Sequence, residues 1–153
     1  MKISNILVQK AVILDLESTD KDGALVEMAN ALASTESSLD SGKLISVLRE
    51  RENLQSTGMG EGVAIPHGRI AHLNQLMVSF ARSRKGVDFD SIDGQPTNLF
   101  FVLVVPESSG GQHLKALARI SRFLRDETFR ESLLEAETCE EIVQVIEAED
   151  ARF

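Results

Sequence analysis

Tryptophan and tyrosine are absent from this 153-residue sequence, cysteine occurs once and proline three times. The single thiol, Cys139, forms no internal disulfide, which suits a reducing compartment. The expected location is the cytoplasm. Long apolar runs are also missing: the longest, Leu99 to Val105, has seven residues, whereas a membrane-spanning helix needs ~20. No membrane insertion is expected, and Gln9, Lys10 and Asp15 interrupt the N-terminal stretch where a secretory signal would be apolar. The seven phenylalanines are not interleaved with basic residues, so nucleic acid is not an expected partner. The patterns HExxH, CxxC and GxxxxGKS/T do not occur. No metal, nucleotide or other cofactor is expected.

What is present suits one α/β domain spanning 1–153. Hydrophobic residues make up 42% and charged residues 26%, globular values, and a chain of this length can bury ~70% of its unfolded surface without a staple. The net charge of −8 is uneven. Leu124 to Phe153 holds ten acids and three bases, whereas Arg49 to Lys85 holds six bases against three acids. A locally positive stretch in an acidic chain suits a small anion. Arg49, Arg69, Arg82 and Arg84 read as solvated surface or a docking rim.

Val12-Ile13-Leu14 with Leu16 predicts a short buried strand, and the Thr19–Asp22 cap a helix through Leu32. A second helix starts near Asp40 and Ser41 and runs to about Glu52. Ser56 to Gly62, with three glycines and two hydroxyls, predicts a loop, and Gly62 to Ile65 an extended segment before Pro66. Leu76 to Arg82 and Asn98 to Val105 read as strands, the second uninterrupted and therefore the sheet centre. Leu114, Leu117, Ala118, Ser121 and Leu124 suggest the buried stripe of a helix. Asp126 caps another through Leu133, and Thr138–Glu141 forms a capping box for the last. The whole predicts a mixed sheet of about five strands flanked by helices on both faces.

Of the three histidines, His67 has the setting of a nucleophile. It ends an apolar strand between Pro66 and Gly68, after a glycine-rich, hydroxyl-bearing loop. A neutral imidazole keeps a ring-nitrogen lone pair that can attack phosphorus. The amides of the glycine loop, including Gly58, and that of Gly68 can form an anion-binding concavity, Ser56 and Thr57 can add donors, and Arg51 can offset phosphoryl charge. His72, between Ala71 and Leu73, has no implied partner.

Glu52 and the run Met59-Gly60-Glu61-Gly62-Val63-Ala64-Ile65-Pro66-His67-Gly68 resemble the active-site signature of mannitol/fructose-type enzyme IIA domains of the bacterial phosphoenolpyruvate-dependent phosphotransferase system. Ser56-Thr57-Gly58, the run Phe89 to Pro96 and Leu103 to Pro106 are similar to its nitrogen-regulatory branch, the enzyme IIA-Ntr proteins. Gln55 and Thr97-Asn98 depart from the usual pattern without touching the histidines. The resemblance implies a phosphoryl group accepted on Nε2 of His67 from an HPr- or NPr-type carrier. It further implies that His113 hydrogen-bonds the nucleophile or the phosphate, and that Arg51 lines the same pocket. The nitrogen-branch resemblance implies regulatory targets such as potassium-transport or sensor-kinase systems, and regulation is expected rather than sugar uptake because the sequence shows no fused sugar-binding or membrane domain. The alternative is a fructose- or mannitol-specific enzyme IIA that passes its phosphate to a separate permease component.

Overall fold

The chain opens with a one-turn helix, α1 (Ile3–Ile6), that no local signal announces. The computed structural model, which describes all 153 residues, shows why it forms: the Ile3 and Ser4 N–H groups donate to the Asp150 carboxylate at 2.9 and 2.7 Å. A helix start whose amides lack partners is thus capped from the far end of the chain. The strand expected at Val12 to Leu16 does not form. A 3₁₀ turn at Gln9–Ala11 separates two isolated bridges to β4 (Met77–Val87), Leu7 with Val78 before it and Ile13 with Ala81 after it. The pairing becomes irregular at Asp15, whose side chain accepts the Arg84 N–H at 2.9 Å while the next residue, Leu16, donates its N–H to the Arg82 carbonyl at 2.7 Å.

Asp20 and Asp40 start the next two helices, α2 (Lys21–Thr35) and α3 (Ser41–Leu54), by accepting the amides of Gly23 and Gly42 at 2.7 and 2.9 Å. The glycine-rich stretch is not wholly loop: β1 (Gly58–Gly60) pairs antiparallel with β2 (Val63–Ala64). Their turn places Gly60, Glu61 and Gly62 in succession at positive φ, which is where the glycines are needed. β3 (His67–Ile70) follows immediately.

β5 (Thr97–Pro106) is the sheet centre, as expected. Antiparallel β4 occupies one of its edges, and β2 and β3 lie in succession along the other, both parallel to it. Val63 faces Leu99 and His67 faces Leu103, the same offset, so β2 and β3 are one strand interrupted at Ile65-Pro66. Proline has no N–H to donate, and the ladder breaks there without losing register.

Alternate residues of β5 feed two cores. Leu99, Phe101, Leu103 and Val105 meet a layer formed by α1, α4 (Gln112–Arg125), α5 (Glu127–Glu135) and α6 (Cys139–Arg152). Phe100, Val102 and Val104 meet α2 and α3. Burying one such phenylalanine contributes roughly 1.5–3 kcal/mol, so this mixed sheet with helices on both faces is held mainly through its central strand.

Two expectations about side chains are corrected. The buried stripe of α4 is Ala116, Ile120, Phe123 and Leu124, while Leu114 is 61% exposed. Ala116, Ile120 and Phe123 join the core against the sheet, whereas Leu114 stands on the part of α4 that borders open space beside His67, Gly68 and Arg69. Arg82, expected at the surface, is fully buried. It donates to the carbonyls of Leu14, Leu133 and Ala136 at 3.0, 2.8 and 2.6 Å. Its guanidinium therefore satisfies the C-terminal carbonyls of α5, where a cation is favoured, and ties them to β4 and the N-terminal segment.

Candidate functional site

β3 has no strand on its outer edge, and a cleft of about 430 Å³ runs along it between α3 and α4. From α3 come Val47, Glu50, Arg51 and Leu54. From β3 come His67, Gly68 and Arg69, and from α4 His113, Leu114 and Leu117. The structure thus brings together His67, His113, Arg51 and Gly68.

The half-buried His67 ring has its tautomer set by the backbone. Its Nδ1 lies 2.8 Å from the Ile65 carbonyl, an oxygen that can only accept. The proton therefore resides on Nδ1 and the lone pair on Nε2. The Ile65 N–H already donates to Thr57 at 3.3 Å on the β1 side. Its carbonyl points to that same side, where β1 has ended and the ring takes its place. Burial lowers the His67 pKa below its ordinary value, against the opposing effect of the Ile65 hydrogen bond; the Arg51 charge lowers it further, Glu52 opposes and His113 adds a smaller lowering. A neutral imidazole with a free Nε2 is the nucleophilic form.

His113 does not hydrogen-bond His67. Its Nε2 lies 3.1 Å from Nη2 of Arg69 and its Nδ1 3.1 Å from Ser109 Oγ. A guanidinium has no acceptor, so it is the donor to Nε2, and His113 carries its proton on Nδ1. Arg51 donates from Nη1 to the Gln55 carbonyl at 2.7 Å. Neither Arg51 nor Arg69 forms an ion pair, so two unpaired cations stand on the cleft wall beside Glu50, the one carboxylate that lines it.

Ser56, Thr57 and Gly58 do not line the cleft. Ser56 Oγ donates to the Phe89 carbonyl at 2.9 Å and accepts the Gly58 N–H at 3.0 Å. The buried Glu52 carboxylate accepts the Thr57 amide at 3.1 Å and the Thr57 hydroxyl, and pairs with Lys21 at 3.2 Å. Gly60 and Glu61 donate to Ser91 and Asp93 at 3.0 Å each, and the N–H groups of Gln95 and Glu61 hold the Asp93 carboxyl below its ordinary pKa. The loop amides and hydroxyls thus fasten the hairpin to the chain around Phe89 to Asp93. Gly68 has a packing reason as well: a Cβ there would stand 2.8 Å from Val47 Cγ2, so α3 approaches β3 closely only because the side chain is missing.

Arg69 was not among the expected site residues, and strand alternation held the signal for it. Residues two apart on a strand share a face, which puts Arg69 beside His67. Leu54, 80% exposed, and Leu114 flank the cleft mouth. His72 is exposed in the turn after β3 and stands outside the cleft. No group of three or more His, Cys, Asp or Glu residues could hold a metal ion, and no helix is long and apolar enough to cross a membrane.

Residues 5–149 match the family described as "Phosphoenolpyruvate-dependent sugar phosphotransferase system, EIIA 2". A nitrogen regulatory protein of Bradyrhizobium diazoefficiens is 39% identical over 146 residues, covering 95% of both chains. The fructose-specific EIIABC component of Bacillus subtilis is 37% identical over 150 residues, 98% of this chain but only 24% of that protein. The crystal structure of the nitrogen regulatory protein IIA-Ntr from Neisseria meningitidis superposes with a TM-score of 0.87 at 38% identity, covering 94% of this chain and 98% of that one.

Proposed function

The chain belongs to the phosphoenolpyruvate-dependent sugar phosphotransferase system EIIA 2 family, and from that premise we propose that it is a phosphocarrier whose acceptor atom is Nε2 of His67. The observation that carries this reading is the Nδ1 contact to the Ile65 carbonyl, which leaves Nε2 as the free lone pair of a neutral ring. The Nε2 electron pair forms the new N–P bond while the pair of the donor's N–P bond returns to the donor imidazole. No proton leaves His67, since its Nδ1–H stays on the Ile65 oxygen. A donor ring that enters protonated on its other nitrogen departs neutral. The unpaired Arg51 and Arg69 offset phosphoryl charge at the cleft wall.

The donor we propose is a phosphohistidine of an HPr- or NPr-type protein. Exposed Leu54 and Leu114 beside a cleft containing two cations suit a folded protein partner better than a free metabolite. Likeness to nitrogen regulatory proteins along nearly their whole length supports a regulatory role, with potassium-transport or sensor-kinase proteins as the kind of target. The phosphate would act there by adding about 1.5 to 2 negative charges to the cleft. Likeness to fructose-specific components supports the second reading, transfer to a sugar permease component. Incubation with phosphoenolpyruvate, enzyme I and HPr should add one acid-labile phosphate to the wild type and none to His67→Ala; label retained in His67→Ala would end the assignment. Restored fructose uptake in a strain lacking its own enzyme IIA would favour the second reading.

A further inference from the structure

Arg69 shares the outward face of β3 with His67, yet its guanidinium rests on a neutral acceptor. Nη2 donates to His113 Nε2 at 3.1 Å and Nη1 to the Glu107 carbonyl at 3.4 Å, the latter a long contact. In a protein with more acids than bases, this cation has no carboxylate partner. Its side chain is exposed and anchored only by these two contacts, so it can move without disturbing the core. A phosphoryl group on His67 would bring anionic oxygens into the same cleft, and a guanidinium binds such oxygens through charge-assisted, often bidentate hydrogen bonds. A neutral imidazole nitrogen is the weaker partner.

We propose that Arg69 is a phosphate-binding residue of the charged state, and that it exchanges its bond to His113 for the phosphoryl oxygens when His67 is phosphorylated. The inference rests on the phosphocarrier reading. In the uncharged protein the Arg69 contact holds the Nε2 lone pair of His113, so this ring has no Nε2–H to offer an incoming phosphate. Release of Arg69 ends that restraint. Arg69 therefore serves the reaction twice, fixing the tautomer of His113 before transfer and neutralising phosphoryl charge after it.

The test uses the full chain, carrier-driven phosphorylation, and the variants Arg69→Gln and Arg69→Lys. Arg69→Gln should charge about tenfold to a hundredfold more slowly, the range expected for losing a hydrogen bond to a charged group, with partial recovery in Arg69→Lys. A second readout is the ³¹P titration of the phosphohistidine. With the cation gone, the phosphoryl group should take up its proton at higher pH in Arg69→Gln, and at nearly the wild-type pH in Arg69→Lys. A purely structural role would leave that titration unmoved. Superimposable ³¹P titrations together with a wild-type charging rate in Arg69→Gln would overturn the inference while leaving His67 as acceptor. Wild-type protein that takes up no phosphate would overturn both.

Discussion

Replacing Gly68 with alanine should loosen the seat of His67 by a calculable amount. The added methyl would meet Val47 Cγ2 at 2.8 Å, Val47 Cβ at 3.3 Å and the Val47 carbonyl carbon at 3.4 Å. Valine on a helix has one strongly preferred rotamer, so its methyl cannot simply turn aside, and either α3 or β3 must shift. Overpacking of this kind costs about 1–3 kcal/mol. Gly68 does not have positive φ, so alanine brings no backbone strain and recovers about 0.4–1 kcal/mol from the unfolded chain. The net loss therefore lies between zero and about 2.6 kcal/mol, centred near about 1.3 kcal/mol, which is roughly 3–5 °C in Tm for a domain of this size. Urea unfolding of Gly68→Ala, Val47→Ala and the double variant measures it. The double variant should be more stable than the sum of the single losses predicts, by roughly 0.5–2 kcal/mol. A Gly68→Ala protein clearly more stable than the wild type, or a double variant with strictly additive losses, would refute the close-approach account of this glycine.

Two further outcomes follow from the charges. Because burial and then Arg51 depress the His67 pKa, acceptance of phosphate should persist as pH falls past about 6.5 and fail only below it. The linkage sign agrees: the unfolded ring binds its proton first, so this group's contribution to stability is full above about pH 6.5 and falls as pH drops towards the lower folded value. NMR titration of the His67 ring in the uncharged protein checks the direction, and a midpoint above 6.5 would contradict it. Arg82→Ala should destabilise the fold by more than about 3 kcal/mol, since the buried Leu133 carbonyl loses its donor and Ala136 keeps only the long Arg84 contact at 3.4 Å. Denaturant unfolding within 1 kcal/mol of wild type, with an unchanged m-value, would show that water or neighbouring groups replace it.

Local patterns carried most of the architecture. Asp20, Asp40, Asp126 and Thr138 each cap the helix expected of them, and the unbroken apolar run became the central strand. What was illegible depended on partners distant in the chain. α1 needs Asp150, the Val12–Leu16 segment yields to Asp15 and Arg84, and Arg82 is drawn inward by carbonyls of a helix about fifty residues later. The site followed the same division. His67, Gly68, His113 and Arg51 were visible as residue types in telling positions, and the structure gathers them around one cleft. Ser56, Thr57 and Gly58 looked like phosphate donors because glycine and hydroxyl content cannot say which way an amide points. The Phe89 carbonyl claims the Ser56 hydroxyl, the Glu52 carboxylate the Thr57 amide and hydroxyl, and Ser56 Oγ the Gly58 amide. The Arg69–His113 pairing is a meeting of strand and helix that only tertiary packing creates.

The interrupted strand also bears on how the protein tolerates change. The atom that selects the reactive nitrogen of His67 is a main-chain oxygen, and every amino acid supplies one. Substitution at position 65 can alter packing but cannot delete that acceptor, so drift in the surrounding sequence leaves the ring's proton placement intact as long as the peptide keeps its orientation. A side-chain acceptor in the same role would be one codon change from loss.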